Sequence, residues 1–242
     1  MKVSVTLMFF IAVTLTVSCK KAGLFQEAGI TTKAILPVDS FDEIILNDKI
    51  NLILTYDSVE KVTIEAGKNL IRNINLTVSG KKLNIHDNNA YKWSRNLDYT
   101  INVYVSSNTL TKVSYYGAGN VSTTNTWATN EFTFDSWTGV GSVNLQLDCE
   151  TAQLFIRMAN ADLTVHGKSG YTRIYCADQG SMDLKDFESQ DIQMDYRSIR
   201  NSSVYATRLL NASVLYKGNV FYRGTPEVKS VYTNSGRLIP LP

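Results

Sequence analysis

The chain has 242 residues, with 24 Lys and Arg against 22 Asp and Glu, for a net charge of +2. The basic residues are scattered, so no stripe for a nucleic-acid backbone is present. Once a leader is removed, about 220 residues remain, enough for one β domain of ordinary size or for a solenoid without sharp internal boundaries.

The first residues read as an address. Met1-Lys2 gives a short basic start, and Val3 to Val17 is an apolar run broken by Ser4, Thr6, Thr14 and Thr16. It is short for a span of about 20 residues and suits a signal h-region. Val17-Ser18-Cys19-Lys20-Lys21 places small residues before a cysteine, which resembles a bacterial lipoprotein signal of Bacteroidetes type, with Thr16 where Leu is usual. Residues 1–18 are therefore expected to be cleaved, leaving Cys19 for lipidation and a membrane anchor without a spanning helix. Lys20 and Lys21, in place of acidic residues, point to the periplasmic side of the outer membrane rather than the surface. Residues 19–35 read as a tether and 36–240 as the folded domain.

From Leu36 to Val105 the pattern is a run of strands. Phe41 to Leu46, Ile50 to Leu54, Lys61 to Ala66 and Tyr99 to Val105 alternate, and Ile74 to Val78 with Lys82 to His86 around Ser79-Gly80-Lys81 reads as a hairpin. Lys68 to Arg72 hints at a helical turn. Asp87 to Asp98, which carries Tyr91, Trp93 and Arg95, reads as an excursion loop.

From Val113 to Tyr222 a phrase returns: a small residue, a polar one, then an alternating apolar run. It opens at Gly119-Asn120-Val121, Gly141-Ser142-Val143, Ala161-Asp162-Leu163, Gly180-Ser181-Met182, Ser202-Ser203-Val204 and Gly218-Asn219-Val220. A unit of about 20 residues is too short to bury its own core and must stack on its neighbours. This predicts an all-β, right-handed parallel β-helix with an N-terminal strand and hairpin region. An antiparallel sandwich is the competing architecture, and the long repeat favours the solenoid. Alternation assigns Val143, Leu145, Leu147, Cys149, Leu154, Ile156, Met158, Leu163, Val165, Ile174, Cys176, Met182, Leu184, Ile192 and Met194 to the inward column. The N-terminal strands and the tail from Gly224 to Leu238 are candidate caps.

Chemistry is sparse. Neither His86 nor His166 has a second ligand at metal-binding spacing, and no nucleophile elbow or phosphate loop occurs. No cofactor is expected. Cys149 and Cys176 read as buried thiols, with a disulfide open to them if the strands bring them together. A β-helix that cleaves polysaccharide is the enzyme alternative, but Asp135, Asp148, Asp162, Asp178, Asp183 and Asp195 do not recur at one repeat phase. Tyr115, Tyr116, Trp127, Trp137, Tyr171, Tyr175, Tyr196, Tyr205, Tyr216 and Tyr222 read as exposed aromatics, many for one domain. Tyr175, Tyr205 and Trp93 are the candidate contacts to sugar faces or partner proteins. Asp57-Ser58-Val59 is similar to a short O-glycosylation signal.

Taken together, Phe41-Asp42-Glu43-Ile44, Lys61-Val62-Thr63-Ile64-Glu65, Gly80-Lys81-Lys82-Leu83-Asn84-Ile85, Leu110-Thr111-Lys112-Val113, Tyr116-Gly117-Ala118-Gly119-Asn120-Val121 and Gly224-Thr225-Pro226 resemble the DUF2807 family, the auto-transporter adhesin head GIN domain. The likeness runs from Leu36 to Leu238, with glycines missing at Ala159 to Asp162 and Ile199 to Ser202. It implies a right-handed β-helix and carries over no catalytic residue. The expectation is a non-enzymatic, lipid-anchored envelope protein that binds protein or glycan through its long faces. A purely structural role is a further alternative, and the solenoid edges are open to self-association.

Overall fold

A computed structural model describes residues 28–89 and 99–241. The expected signal segment, Cys19 and Trp93 lie outside the described residues. The elements before the repeats are β1 (Thr31–Leu36), β2 (Glu43–Leu46), β3 (Asn51–Tyr56), β4 (Lys61–Gly67), a single-turn helix α1 (Lys68–Ile71), β5 (Ile74–Ser79), β6 (Lys82–Asp87) and β7 (Asn102–Ser107). Then come β8 (Lys112–Tyr115), β9 (Val121–Thr123), β10 (Trp127–Ser136), β11 (Val140–Ile156), β12 (Asn160–Asp178), β13 (Ser181–Ser198) and β14 (Ser202–Val214). The chain closes with β15 (Val220–Arg223), β16 (Glu227–Tyr232) and β17 (Leu238–Pro240).

These strands form a parallel β-solenoid of about 6 turns. The first face stacks β6, β2 and β8 on the C-terminal parts of β10 to β14 and then β16. The second stacks β7, β3 and β9 on the N-terminal parts of β11 to β14, then β15 and β17. A third, shorter face joins the N-terminal part of β10 to the middles of β11 to β14, where Trp127, Leu147, Gly167 and Phe187 fall in register. The four strands from β11 to β14 each bend around all three faces, which is why single strands reach 17, 19 and 18 residues.

The expected inward column is buried, with Met158 as the exception, at 63% exposed. β11 ends at Ile156, and the chain turns a corner at residues 157–159, so alternation counted through the corner assigns Met158 to the wrong side. The phrase marker in the fifth repeat also moves. Met182 and Val220 bracket Ser202, not Val204, because Asp183 pairs with Ser203 and Ser202 with Val220. A serine fills the core position there because it has partners: its Oγ accepts from Met182 N at 2.9 Å and lies 2.9 Å from Tyr196 Oη.

The polar residue of the phrase now has a physical role. Asn51 Oδ1 accepts from Asn120 N at 2.9 Å, and Asn120 Oδ1 from Ser142 N at 3.2 Å. Further along, Asn201 Oδ1 accepts from Asn219 N and Asn219 Oδ1 from Arg237 N, both at 2.9 Å. At each of these corners a side chain satisfies the backbone donor one turn away, where the ladder alone leaves it unpaired.

Three aromatics expected outside are inside: Tyr115, Trp127 and Tyr196 are each 0% exposed. Each buries its polar tip against a backbone carbonyl, as a core aromatic must. Trp127 Nε1 donates to Leu110 O at 3.1 Å. Tyr115 Oη reaches Gly119 O at 2.5 Å and Val140 O at 2.8 Å, and Tyr196 Oη donates to Arg200 O. The two tyrosines occupy the same column, Tyr115, Ser136, Ile156, Cys176, Tyr196, Val214, and each clips one corner to the strand before it. Burial pushes both phenols up to about 12, which keeps them neutral donors. Gly139 is required beside the first clip, since a Cβ there would stand 2.1 Å from the Tyr115 ring.

One further boundary is revised, and the reading of the two cysteines as buried thiols holds. β1 takes in Thr31 to Ile35, assigned above to the tether, because those residues complete an antiparallel ladder with β4. Cys149 and Cys176 do not pair: both are free and buried, Cys149 opposite Ser169 and Cys176 opposite Ile156. Burial pushes both thiols up to about 12, so they are protonated packing groups.

Candidate binding groove at a solenoid corner

Every turn passes from the first face to the second through a corner. From β10 onward these corners are 137–139, 157–159, Gln179-Gly180, 199–201, 215–219 and 233–237. Four apolar side chains at the strand boundaries stay outside and gather in one place. Val140 is 49% exposed, Met158 63%, Ile199 50% and Tyr216 38%. The middle corner is the shortest, and its Gly180 contributes no side chain.

The result is a cleft of about 880 Å³ that crosses six successive corners. Its lining combines these four residues with the polar groups of Asn160, Asp178, Gln179 and Arg197. A volume near the upper end of ordinary ligand sites, with convergent polar groups, is the default signature of a binding site. Val140 and Asn160 are register partners, so these two lining residues sit side by side on adjacent turns.

Beside the cleft, the first face carries an aromatic and arginine patch. Arg157 donates to Asp135 through Nε at 2.7 Å and Nη2 at 3.2 Å. Its guanidinium lies 4.5 Å from the Trp137 ring centroid and 5.2 Å from that of Phe155. Tyr175 pairs with Phe155 on one side and Asp195 on the other, and Arg197 donates to Asp195 at 2.8 and 3.0 Å.

Tyr175 thus stands half-buried in this patch, next to the cleft. Tyr205 is half-buried on a different face, paired with Arg223 and stacked 5.0 Å from its guanidinium. The fold does not bring the two together. Met158, Ile199 and Val140 are the groove residues that alternation alone misses. The signal that identifies them is position: each sits where one strand ends and the next begins.

Two of the outer carboxylates, Asp162 and Asp183, are ion-paired. Asp162 meets Ser181 and Arg200, and Asp183 meets Lys185 and Ser203. Burial works to raise both carboxyls, but these hydrogen bonds and charges outweigh it and hold them below the usual carboxylate value. A general acid needs the opposite shift. Among the described residues no group of three His, Cys, Asp or Glu side chains could hold a metal ion. His86 Nδ1 contacts Asp48 at 2.7 Å, and His166 is exposed between Gln146 and Asp186. Ser58 lies on an exposed turn where Val59 N donates to Asp57 at 3.1 Å.

The family profile described as "Putative auto-transporter adhesin, head GIN domain", DUF2807, matches residues 40–226. The chain belongs to this family. Among solved structures it is similar to a "putative adhesin" from Bacteroides fragilis, with TM-score 0.79 and 18% identity over 88% of this chain and 97% of that one. A second "putative adhesin", from Parabacteroides distasonis, gives TM-score 0.67 and 17% identity over 90% and 100%. A third, a "putative lipid binding protein" from the same species, gives 0.61 and 16% over 88% and 98%. At such identities the likeness is one of fold. No curated protein matches the chain.

Proposed function

We propose that this DUF2807 chain is an adhesin-like binding protein of the cell envelope that holds a protein or glycan along the corner groove and performs no reaction on it. The observation that carries this reading is the row of Val140, Met158, Ile199 and Tyr216, exposed in one cleft on a rigid ladder of strands. Exposed apolar side chains gathered in one place, rather than scattered, mark a contact surface. The adhesin descriptions of the family and of its structural neighbours agree with binding. No helix among the described residues is long and apolar enough to cross a membrane. Attachment is assigned to a lipid on Cys19 after cleavage of residues 1–18, with the protein on the periplasmic side of the outer membrane.

The test is a capture experiment. Beads carrying the chain are applied to arrays of glycans and matrix proteins, and the supernatant is assayed for released reducing or unsaturated sugars. Retention without product is expected, and the double variant Met158→Asp, Ile199→Asp is expected to lose retention at least about tenfold with its melting curve unchanged. Product release would replace this reading with an enzyme. Retention that survives the double variant would move the contact away from the groove.

A further inference from the structure

Resting on the groove reading above, we infer that the ligand is a neutral, β-linked glycan lying along the solenoid axis with its sugar units in step with the turns. The first support is spacing. The cleft crosses six corners, which is five strand separations, or roughly 24 Å at about 4.8 Å each. A β-linked hexose in an extended chain is about as long as one such separation, so each unit meets the same kind of corner as the last. An extended peptide advances about 3.3 Å per residue and falls out of step within two turns.

The second support is the lining. A pyranose offers apolar C–H faces and a rim of hydroxyls. The groove offers apolar Val140, Met158, Ile199 and the Tyr216 ring, interleaved with the planar polar groups of Asn160, Gln179, Asp178 and Arg197. An acyl chain would leave those four polar groups desolvated against hydrocarbon, which is costly. A peptide would find no free strand edge at a corner, so the usual strand-addition mode is closed to it.

The third support is charge. The lining holds one anion, Asp178, and one cation, Arg197, and the latter is already paired with Asp195. The neighbouring Arg157 and Arg200 are paired with Asp135 and Asp162. Among the described residues that line the cleft, no uncompensated cation is present to select a phosphate, sulfate or uronate, and Lys217 at its edge lies over the Tyr216 ring at 5.7 Å. A neutral polymer matches this balance better than an anionic one.

The experiment is calorimetric titration of the full chain with chitin- and cello-oligosaccharides of two to eight units. Malto-oligosaccharides, whose α linkages curve the chain, and an extended unstructured peptide serve as controls. Affinity is expected to rise roughly fivefold per added unit in one β-linked series and to level off at about five or six units. Tyr216→Ala and Ile199→Asp are expected to weaken the longest oligomer at least tenfold, and Tyr205→Ala to leave it unchanged. Equal affinity at all lengths, or α-linked chains binding as well as β-linked ones, overturns the alignment. Binding of the peptide alone overturns the glycan class but leaves the groove reading standing. Silence with every probe at millimolar concentration removes the groove reading too.

Discussion

At its N-terminal end the solenoid runs into antiparallel strands: β7 is covered by β4 and β4 by β1, while β6 is covered by β5. The helical turn α1 drops Leu70 into the end of the core at 0% exposure, and Asn89 Nδ2 closes over it by donating to Leu70 O at 3.1 Å. Among the described residues the C-terminal end has no such cover. All six residues of β16 are exposed, with Val228 at 40%, Val231 at 56% and Tyr232 at 40%. Among the described residues β16 pairs only with β14, and β17 only with β15. What guards this edge is its chemistry: Lys229 stands in the outer strand, and Pro240 in β17 has no N–H to offer. Charge and proline are the known means of discouraging edge pairing. One end is closed by burial and the other by making its edge a poor template, so stability and solubility are set at opposite ends of the same stack.

The largest expected effect that would sharpen this comparison is at the covered end. Ile64 in β4 is 0% exposed and beneath β1. Ile64→Ala is expected to cost about 2–5 kcal/mol in urea unfolding, since the cap cannot collapse onto the space. A loss below 1 kcal/mol would show that the cap is an ornament to the core rather than part of it.

A smaller effect is expected from acid. Glu43 in β2 receives Lys82 at 2.8 Å, Lys112 at 3.2 Å and Ser114 at 2.8 Å. Burial works to raise its carboxyl, but these partners outweigh it and hold it below the ordinary value of 4.5. A depressed carboxylate contributes stability that is complete above its unfolded value and is lost as pH falls through the folded one. Stability near β2 is therefore expected to decline below pH 4.5, and Glu43→Gln to flatten that decline in acid melts. An unchanged acid limb in the variant would remove Glu43 from the account.

The smallest effects belong to the open end. Val231→Ser and Glu227→Gln are each expected to change stability by no more than about 0.5 kcal/mol. Amide exchange should be fast in β16 and slow in β4 and β7. Strong protection in β16 would mean that a second copy covers it and would break the contrast outright.

Much of this architecture is legible in the sequence, because parallel stacking imposes a repeat and alternation marks its inner face. The hairpin of β5 and β6 and the helical turn are legible too, as both are local. What escapes is decided at corners or between turns. Met158 follows the alternation by count but sits beyond the last paired residue of its strand. Tyr115 and Tyr196 look like surface residues until the corner carbonyls that receive their hydroxyls are in place. Ser202 reads as a turn residue, and only the register of Asp183 on Ser203 shows that it belongs to the core. The groove is invisible to a linear reading because its lining comes from six separate turns.

The uneven finish of the two ends bears on how the molecule meets mechanical load. An anchor at Cys19 would pull on the chain just before β1, so tension enters through the β1–β4 ladder and the covered strands behind it. The last turn forms the far end of the groove, through Thr233, and transmits none of that tension. Because each turn touches only its neighbours, a tear that begins at β16 can strip one turn and shorten the groove by one corner without disturbing Ile64 or the cap. The grip can wear from its free end while the mooring stays intact.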